Sequence, residues 1–349
     1  MRKRKAGQLA GLLAASSLVL GACGAGGEAA SPNENGDDPI TLSYAFFASE
    51  NSFPGVQMTK WAEEVEERTD GKVEVELYPG GTLLDAENMY KGVRDGVVDI
   101  GLSSPTYEPG QYPLLSISDM PSGISSSLVA SQVTSDLLTE FEPEAMSDVK
   151  ILTTFTGDPA YVQTKQKVES MDDLSGMQIR IAGSNADVLE ALNGSPVGMS
   201  LAEVPEALQT NVIEGNISSR EVLYDFKLGE MVDYVVDYPL STASFVAVMN
   251  QGVWDSLPQD VQDVIEEVNA EMPAFTGQYL DDSIEDAMSW SKEEHGLEVV
   301  TLSDDEQQRW QEQLLQLQDD AVEKANNAGL PGDEYRERFY ELIEKYENQ

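Results

Sequence analysis

The segment after Leu257-Pro258 constrains this chain more than any other. From there to His295, the residues Val261, Val264, Ile265, Val268, Met272 and Phe275 recur every three or four positions, the spacing of one helical face. At 1.5 Å per residue such a helix would run about 57 Å. One small lobe is not that wide, so the helix is expected to cross two. Pro273 near its middle lacks the amide that a helix interior uses, and a kink is expected there.

The residues around that helix supply the lobes. Ile40 to Phe46 reads as a buried strand, and Met58, Trp61, Ala62 and Val65 mark one face of a helix that stops at Asp70-Gly71. Val73, Val75 and Leu77 alternate with charged residues as a half-buried strand, closed by Pro79-Gly80-Gly81. A helix near Asp85 to Asp95 leads to a short strand at Val97 to Gly101. Strand and helix in alternation build a parallel sheet with helices on its faces. The order restarts at Val149 to Phe155 and at Met177 to Ala182, with further strands near Asn211 to Ile217 and Phe245 to Asn250. Capping boxes at Ser200 to Glu203 and Ser303 to Glu306 open later helices, and Gly329 and Pro331 separate the last two. Those C-terminal helices are expected to end against one lobe. The expected fold class is α/β with two lobes, each a sheet flanked by helices, and a long kinked helix spanning both.

The first residues have a different character. Arg2, Lys3, Arg4 and Lys5 precede an apolar stretch from Leu9 to Leu20 and the small-residue site Leu20-Gly21-Ala22-Cys23. This is the pattern of a secretory signal, and the stretch is short for a permanent membrane span, which needs about 20 apolar residues. A cleavage site ending in cysteine resembles the bacterial lipobox, so Cys23 is the expected lipid attachment point. Residues 24–39 are rich in Gly, Ala, Ser, Asn and Asp and read as a flexible tether. With one cysteine no internal disulfide is possible, and stability must come from the core.

The chain carries 63 acidic against 21 basic residues, a formal net charge of -42. That excludes nucleic acid as a partner, since gripping phosphates needs clustered Lys and Arg. No D-x-[DN]-x-[DN]-G calcium loop occurs. A dispersed acidic surface suits a protein working in high salt, where self-repulsion is screened. Chemical unfolding is therefore expected to be easier at low ionic strength than in molar salt; equal stability in both would refute that habitat.

Catalytic groups are scarce. His295 is the only histidine and sits at the end of the long acidic helix, where it reads as a C-terminal cap. Neither a zinc site nor a nucleophile–base pair can be completed, so no metal, cofactor or catalytic residue is expected. An anchored extracellular hydrolase would have to rely on carboxylate or lysine chemistry. A binding protein needs none of this machinery.

Beyond the basic start only seven arginines remain. Arg68, Arg94, Arg309, Arg336 and Arg338 fall on helices as solvated charges or i,i+4 partners, and Arg220 follows a strand. Arg180 differs, because it lies inside the strand-like Met177-Gln178-Ile179-Arg180-Ile181, just before a helix. An arginine at the end of a parallel strand points into the crevice where open α/β sheets bind ligands, and its planar fork can grip a carboxylate. It is either that or a buried salt-bridge partner.

At these residues the chain resembles the substrate-binding proteins of tripartite ATP-independent periplasmic (TRAP) transporters, of the dicarboxylate-binding type. The similarity runs from Trp61-Ala62-Glu63-Glu64-Val65 and Thr69-Asp70-Gly71-Lys72-Val73 through Tyr78-Pro79-Gly80-Gly81-Thr82-Leu83 and Gly96-Val97-Val98-Asp99-Ile100. It continues with Asp172-Asp173-Leu174-Ser175-Gly176 before Arg180, Ala207-Leu208-Gln209-Thr210 before Glu214-Gly215, and Trp254-Asp255-Ser256-Leu257-Pro258. The resemblance implies a periplasmic-binding-protein-like fold whose lobes close over a small organic acid, with Arg180 bridging to its carboxylate and delivery to the membrane subunits of a transporter. It implies residues 1–22 as signal, 23–39 as tether, 40–154 with 244–283 as one lobe, and 155–243 with 284–349 as the other. Two departures stand out. Gly157-Asp158-Pro159 stands where many members carry a further arginine, and Glu214-Gly215-Asn216-Ile217-Ser218 replaces the usual Asp-Gly-Gln-Glu-Asn. Asn216 and Ser218 are thus candidate ligand contacts. Phe46, Tyr107, Tyr161 and Tyr224 follow predicted strands near the crevice and are either pocket walls or core residues.

Overall fold

A computed structural model of the chain describes residues 39–108, 110–141, 146–182 and 185–348. Cys23, the signal and nearly all of the tether lie outside the described residues. Eleven strands are seen among the described residues: β1 (Ile40–Ala45), β2 (Val73–Tyr78), β3 (Ile100–Ser103), β4 (Val149–Thr156), β5 (Tyr161–Thr164), β6 (Gln178–Ile181), β7 (Ser195–Gly198), β8 (Gly215–Ser218), β9 (Tyr234–Val236), β10 (Ser244–Asn250) and β11 (Glu298–Val300). The helices are α1 (Phe53–Arg68), α2 (Met89–Arg94), α3 (Leu115–Ser118), α4 (Ser127–Glu140), α5 (Ala186–Ala191), α6 (Val204–Gln209), α7 (Val222–Asp225), α8 (Gln251–Ser256), α9 (Gln259–His295), α10 (Asp304–Asn327) and α11 (Gly332–Glu347). They form two α/β lobes.

The sheet of the first lobe has the order β2-β1-β3-β10-β4. Its early strands are parallel, as strand–helix alternation requires, and β10 returns antiparallel between β3 and β4. The period-two pattern of β1 places Leu42 and Tyr44 in the core, where Trp61 of α1 meets Tyr44 edge-on at 5.5 Å. The second sheet runs β11-β9-β5-β8-β6-β7, with β6 parallel to both β7 and β8. The chain passes between the lobes at residues 157–160 and 240–243, which hold each other in a short ladder. Gly157 N donates to Ala243 O at 2.9 Å, Ala160 N to Ser241 O at 2.8 Å and Leu240 N to Ala160 O at 2.9 Å.

Helix α9 is 37 residues long and runs through Pro273 unbroken. Pro273 has no amide to give the Asn269 carbonyl, and Thr153 Oγ1 on β4 donates to that carbonyl instead, at 3.1 Å. A buried carbonyl left unpaired would cost about 1–3 kcal/mol, so the sheet makes the proline tolerable. Trp61 Nε1 donates to Asn269 Oδ1 at 2.8 Å, tying α1 to the same turn. Val261, Ile265, Val268 and Met272 fill the first lobe's core. The far end belongs to the second lobe: Trp290 meets Tyr224 edge-on at 5.1 Å, and a Cβ on Gly229 would lie 2.6 Å from Ser291 Oγ. One helix therefore packs on both lobes. At its C-terminus Gly296 takes φ +74° as the cap, and the His295 ring lies 4.3 Å from that of Trp290.

The C-terminal helices depart from the expectation of ending against one lobe. Trp310 and Leu314 of α10 join the second lobe's core with Ile179 and Val188. Val322 and Ala325, one helical stretch later, pack instead with Tyr335 and Phe339 of α11 against Ile117, Val133 and Leu137 of α3 and α4. Because α10 is 24 residues long it outruns one lobe and carries α11 back to the other. No helix among the described residues is long and apolar enough to cross a membrane.

Candidate functional site

Between the lobes lies a cleft of about 620 Å³. The first lobe faces it with rings: Phe47, Phe53, Tyr107 and Phe245. Phe47 meets Tyr107 edge-on at 4.9 Å and stacks on Phe245 at 6.2 Å, so these side chains brace one another into a fixed apolar wall. The second lobe contributes polar groups, among them Arg180, Ser218, Ser219 and Glu221.

Arg180 is 3 % exposed and held on β6 in register with Asn216 of β8 and Val197 of β7. Its Nε donates to Met199 O at 3.0 Å, and one Nη1 hydrogen points to Asn216 Oδ1 at 3.5 Å. Asn216 leans on Gln163 Oε1 at 3.4 Å, and Gln163 Nε2 donates to the Ser218 and Ser219 carbonyls at 3.1 and 2.9 Å. This chain of amides aims the guanidinium without neutralising it. Burial lowers the tendency of Arg180 to carry its charge, while Tyr107 across the cleft and Glu203 oppose that shift. Among the described residues every other arginine has a carboxylate within 4 Å: Arg68 with Glu64 and Glu271, Arg94 with Asp95, Arg220 with Asp158, Arg309 with Glu306, Arg336 with Asp319 and Arg338 with Glu140. Arg180 alone among them has none. A buried, oriented cation without a carboxylate partner at the wall of a cleft has the chemistry to hold an anion.

Asp158, where the family resemblance leads one to expect a second arginine, has the opposite charge and a different task. Its carboxylate accepts from Arg220 Nε at 2.9 Å, from Nη2 at 2.8 Å and from the Arg220 amide at 3.2 Å. The guanidinium lies 4.1 Å over the Tyr161 ring. Burial pushes the Asp158 carboxyl up and Arg220 opposes that, while Asp158 raises Arg220 against its own desolvation. The pair ties the crossover at 157–160 to the end of β8, and Arg220 is consumed by it.

The expected pocket residues divide. Arg180, Ser218 and Tyr107 line the cleft. Asn216 is fully buried behind it, supporting Arg180. Phe46, Tyr161 and Tyr224 lie elsewhere. Phe46 N donates to Tyr78 O at 3.1 Å, extending the β1 ladder by one residue, so Phe46 stays on the core face shared by Leu42 and Tyr44 and the next residue, Phe47, turns to the cleft. Tyr161 is 2 % exposed beneath Arg220, and Tyr224 is 47 % exposed against Trp290 on the outside. Strand parity counted from Leu42 points to Phe47 rather than Phe46. Glu221 and Phe245 carry no such signal, because their place in the cleft depends on how the lobes meet.

Comparison with known proteins agrees with this geometry. Residues 44–325 match the family model for bacterial extracellular solute-binding protein, family 7, named DctP. A TRAP periplasmic solute-binding protein from Desulfovibrio salexigens, solved as an open complex, superposes with a TM-score of 0.83 at 39% identity, covering 89% of this chain and 98% of that one. A marine metagenome TRAP solute-binding protein specific for aromatic acid ligands, crystallised with 3-hydroxybenzoate, gives 0.81 at 28% identity over 88% of this chain and 99% of its own. The C4-dicarboxylate-binding periplasmic protein of Rhodobacter capsulatus is 24% identical over 297 residues, 82% of this chain and 88% of that protein. This chain belongs to family 7 of the bacterial extracellular solute-binding proteins, the extracytoplasmic receptors of TRAP transporters.

Proposed function

We propose that the protein captures a small carboxylate with an apolar, ring-sized body and passes it unchanged to the membrane subunits of a TRAP-type transporter. The observation that carries this is Arg180, the one arginine among the described residues left without a carboxylate, buried in a cleft whose opposite wall is aromatic. The lone cation supplies one strong anion contact, and Phe47, Phe53 and Phe245 supply area for a hydrophobic body. The aromatic-acid specificity of the marine relative supports this choice over a flexible C4-dicarboxylate. Closing the lobes around the ligand needs contacts that only the shut state makes, and Tyr107 with Arg180 already brackets the cleft from both lobes. Thermal shift against aromatic acids and C4-dicarboxylates tests the reading. A ligand at 100 times its Kd should stabilise the fold by about 2.7 kcal/mol. A melting point unmoved by every acid would end the proposal.

The lipobox-like pattern at Leu20 to Cys23 supports a protein held to the membrane by lipid on Cys23. Cys23→Ser is expected to move it from the membrane fraction to the soluble fraction, as read by fractionation of expressing cells. Unchanged membrane retention of that variant would argue against the anchor.

A further inference from the structure

Glu221 follows Ser218 and Ser219 into the cleft wall and is 4 % exposed. Its Oε1 accepts from Ser219 Oγ at 2.5 Å, and among the described residues its Oε2 has no partner. A carboxyl buried without a cation would ordinarily be excluded by its desolvation cost. Among the described residues no cation compensates it. Two acids act on it: Asp158, already paired with Arg220, and Asp225, whose own carboxyl burial raises to about 6 with Lys227 opposing only in part. Both acids disfavour an ionised Glu221.

We propose that Glu221 is a second ligand-binding group, a neutral carboxylic acid whose Oε2–H donates to an oxygen acceptor on the ligand other than the carboxylate held by Arg180. This rests on the carboxylate reading above and narrows it: the favoured solute is an oxygenated acid, carrying a keto, ester or second acid oxygen, rather than a bare hydrocarbon acid. Three observations converge on that role. With Ser219 Oγ donating to Oε1, the acid's proton is free to sit on Oε2. Oε2 is the atom without a partner, in a residue that lines the cleft. Burial, with added repulsion from Asp158 and Asp225, lifts this carboxyl from 4.5 to about 8, so it keeps its proton at neutral pH. A site built to hydrogen-bond a ligand oxygen discriminates strongly against the analogue that lacks it, because the donor is then left buried and unmet.

The test uses pairs of acids matched in shape and differing by one acceptor: 3-acetylbenzoate with 3-ethylbenzoate, phenylglyoxylate with phenylacetate, and 4-oxopentanoate with pentanoate. Calorimetric titration of the wild type is expected to give a preference of roughly tenfold or more for the oxygenated member of the pair that binds. That preference should vanish in Glu221→Met with affinity for the plain acid kept, and persist in Glu221→Gln, which retains a donor. In the wild type it should shrink as pH rises from about 6.5 to about 9, because ionised Glu221 repels the acceptor, and in Glu221→Gln it should not. A preference that survives Glu221→Met, or that is the same at both pH values in the wild type, overturns the assignment. Acids that bind through Arg180 with no preference overturn it while leaving the carboxylate reading standing. If no acid binds, the carboxylate reading fails and this one falls with it.

Discussion

Arg180→Met is expected to weaken carboxylate binding severely while leaving the unliganded protein at least as stable as the wild type. The two halves of that result come from one fact. Arg180 is buried with hydrogen bonds to Met199 and Asn216 but, among the described residues, with no carboxylate partner. In the unliganded protein its charge is a liability, since burial disfavours it and Tyr107 and Glu203 offset that only in part. A ligand carboxylate supplies the missing partner. Removing one side of such a desolvated charge pair costs about 2–5 kcal/mol, or roughly 30- to 5,000-fold in Kd. Arg180→Lys keeps the charge but loses the planar fork, so an intermediate loss is expected. Calorimetric titration with the best acid from the thermal-shift panel, together with melting curves of the unliganded variants, reads both halves. A variant that binds like the wild type refutes the receptor role. A variant that melts well below the wild type without ligand would make Arg180 a structural residue.

Asp158→Ala is expected to have the largest effect on stability, about 3–5 kcal/mol, because it strands a desolvated guanidinium. Asp158 is fully buried at its side chain and Arg220 is only 20% exposed, so water cannot easily take the place of the pair. The loss should be smaller when both ends go together: Asp158→Leu with Arg220→Met replaces ions by packed apolar volume, which is often neutral or stabilising. Denaturant unfolding of the single and double variants measures the difference. If the single variant lost less than about 1 kcal/mol, the value typical of an exposed pair, the pair would not be a structural tie between the crossover and β8.

Much of the architecture is legible in periodicity. Alternation in Val73 to Leu77 and the helical spacing in Val261 to Phe275 are local properties, and each appears where expected, in β2 and α9. The family resemblance and the scarcity of arginine together single out Arg180 from the residues alone. Other features are not legible. Asp158 and Arg220 are 62 positions apart, and nothing in a chain with 63 acids marks which one an arginine will choose. Thr153 serving the carbonyl freed by Pro273 depends on β4 lying beneath α9, a relation between segments 116 residues apart. The turn from Phe46 to Phe47 is legible in principle, through the parity of Leu42 and Tyr44. It also depends on where the ladder ends, and that is set by the contact with Tyr78.

By itself, the sequence determined the strand–helix alternation that opens the first lobe, the length of the helix that packs on both lobes, and the scarcity of cations that makes Arg180 conspicuous. Those depend on hydrophobic period and composition, which act within a few residues. Strands β5, β7, β9 and β11 and helix α4 are too short or too weakly patterned to be read that way. Tertiary structure alone decided which charges are neutralised, which ring faces the cleft and that Glu221 sits there with one oxygen unpaired among the described residues. Neutralisation and burial depend on distances between segments far apart in sequence, and these exist only once the two lobes have packed against each other.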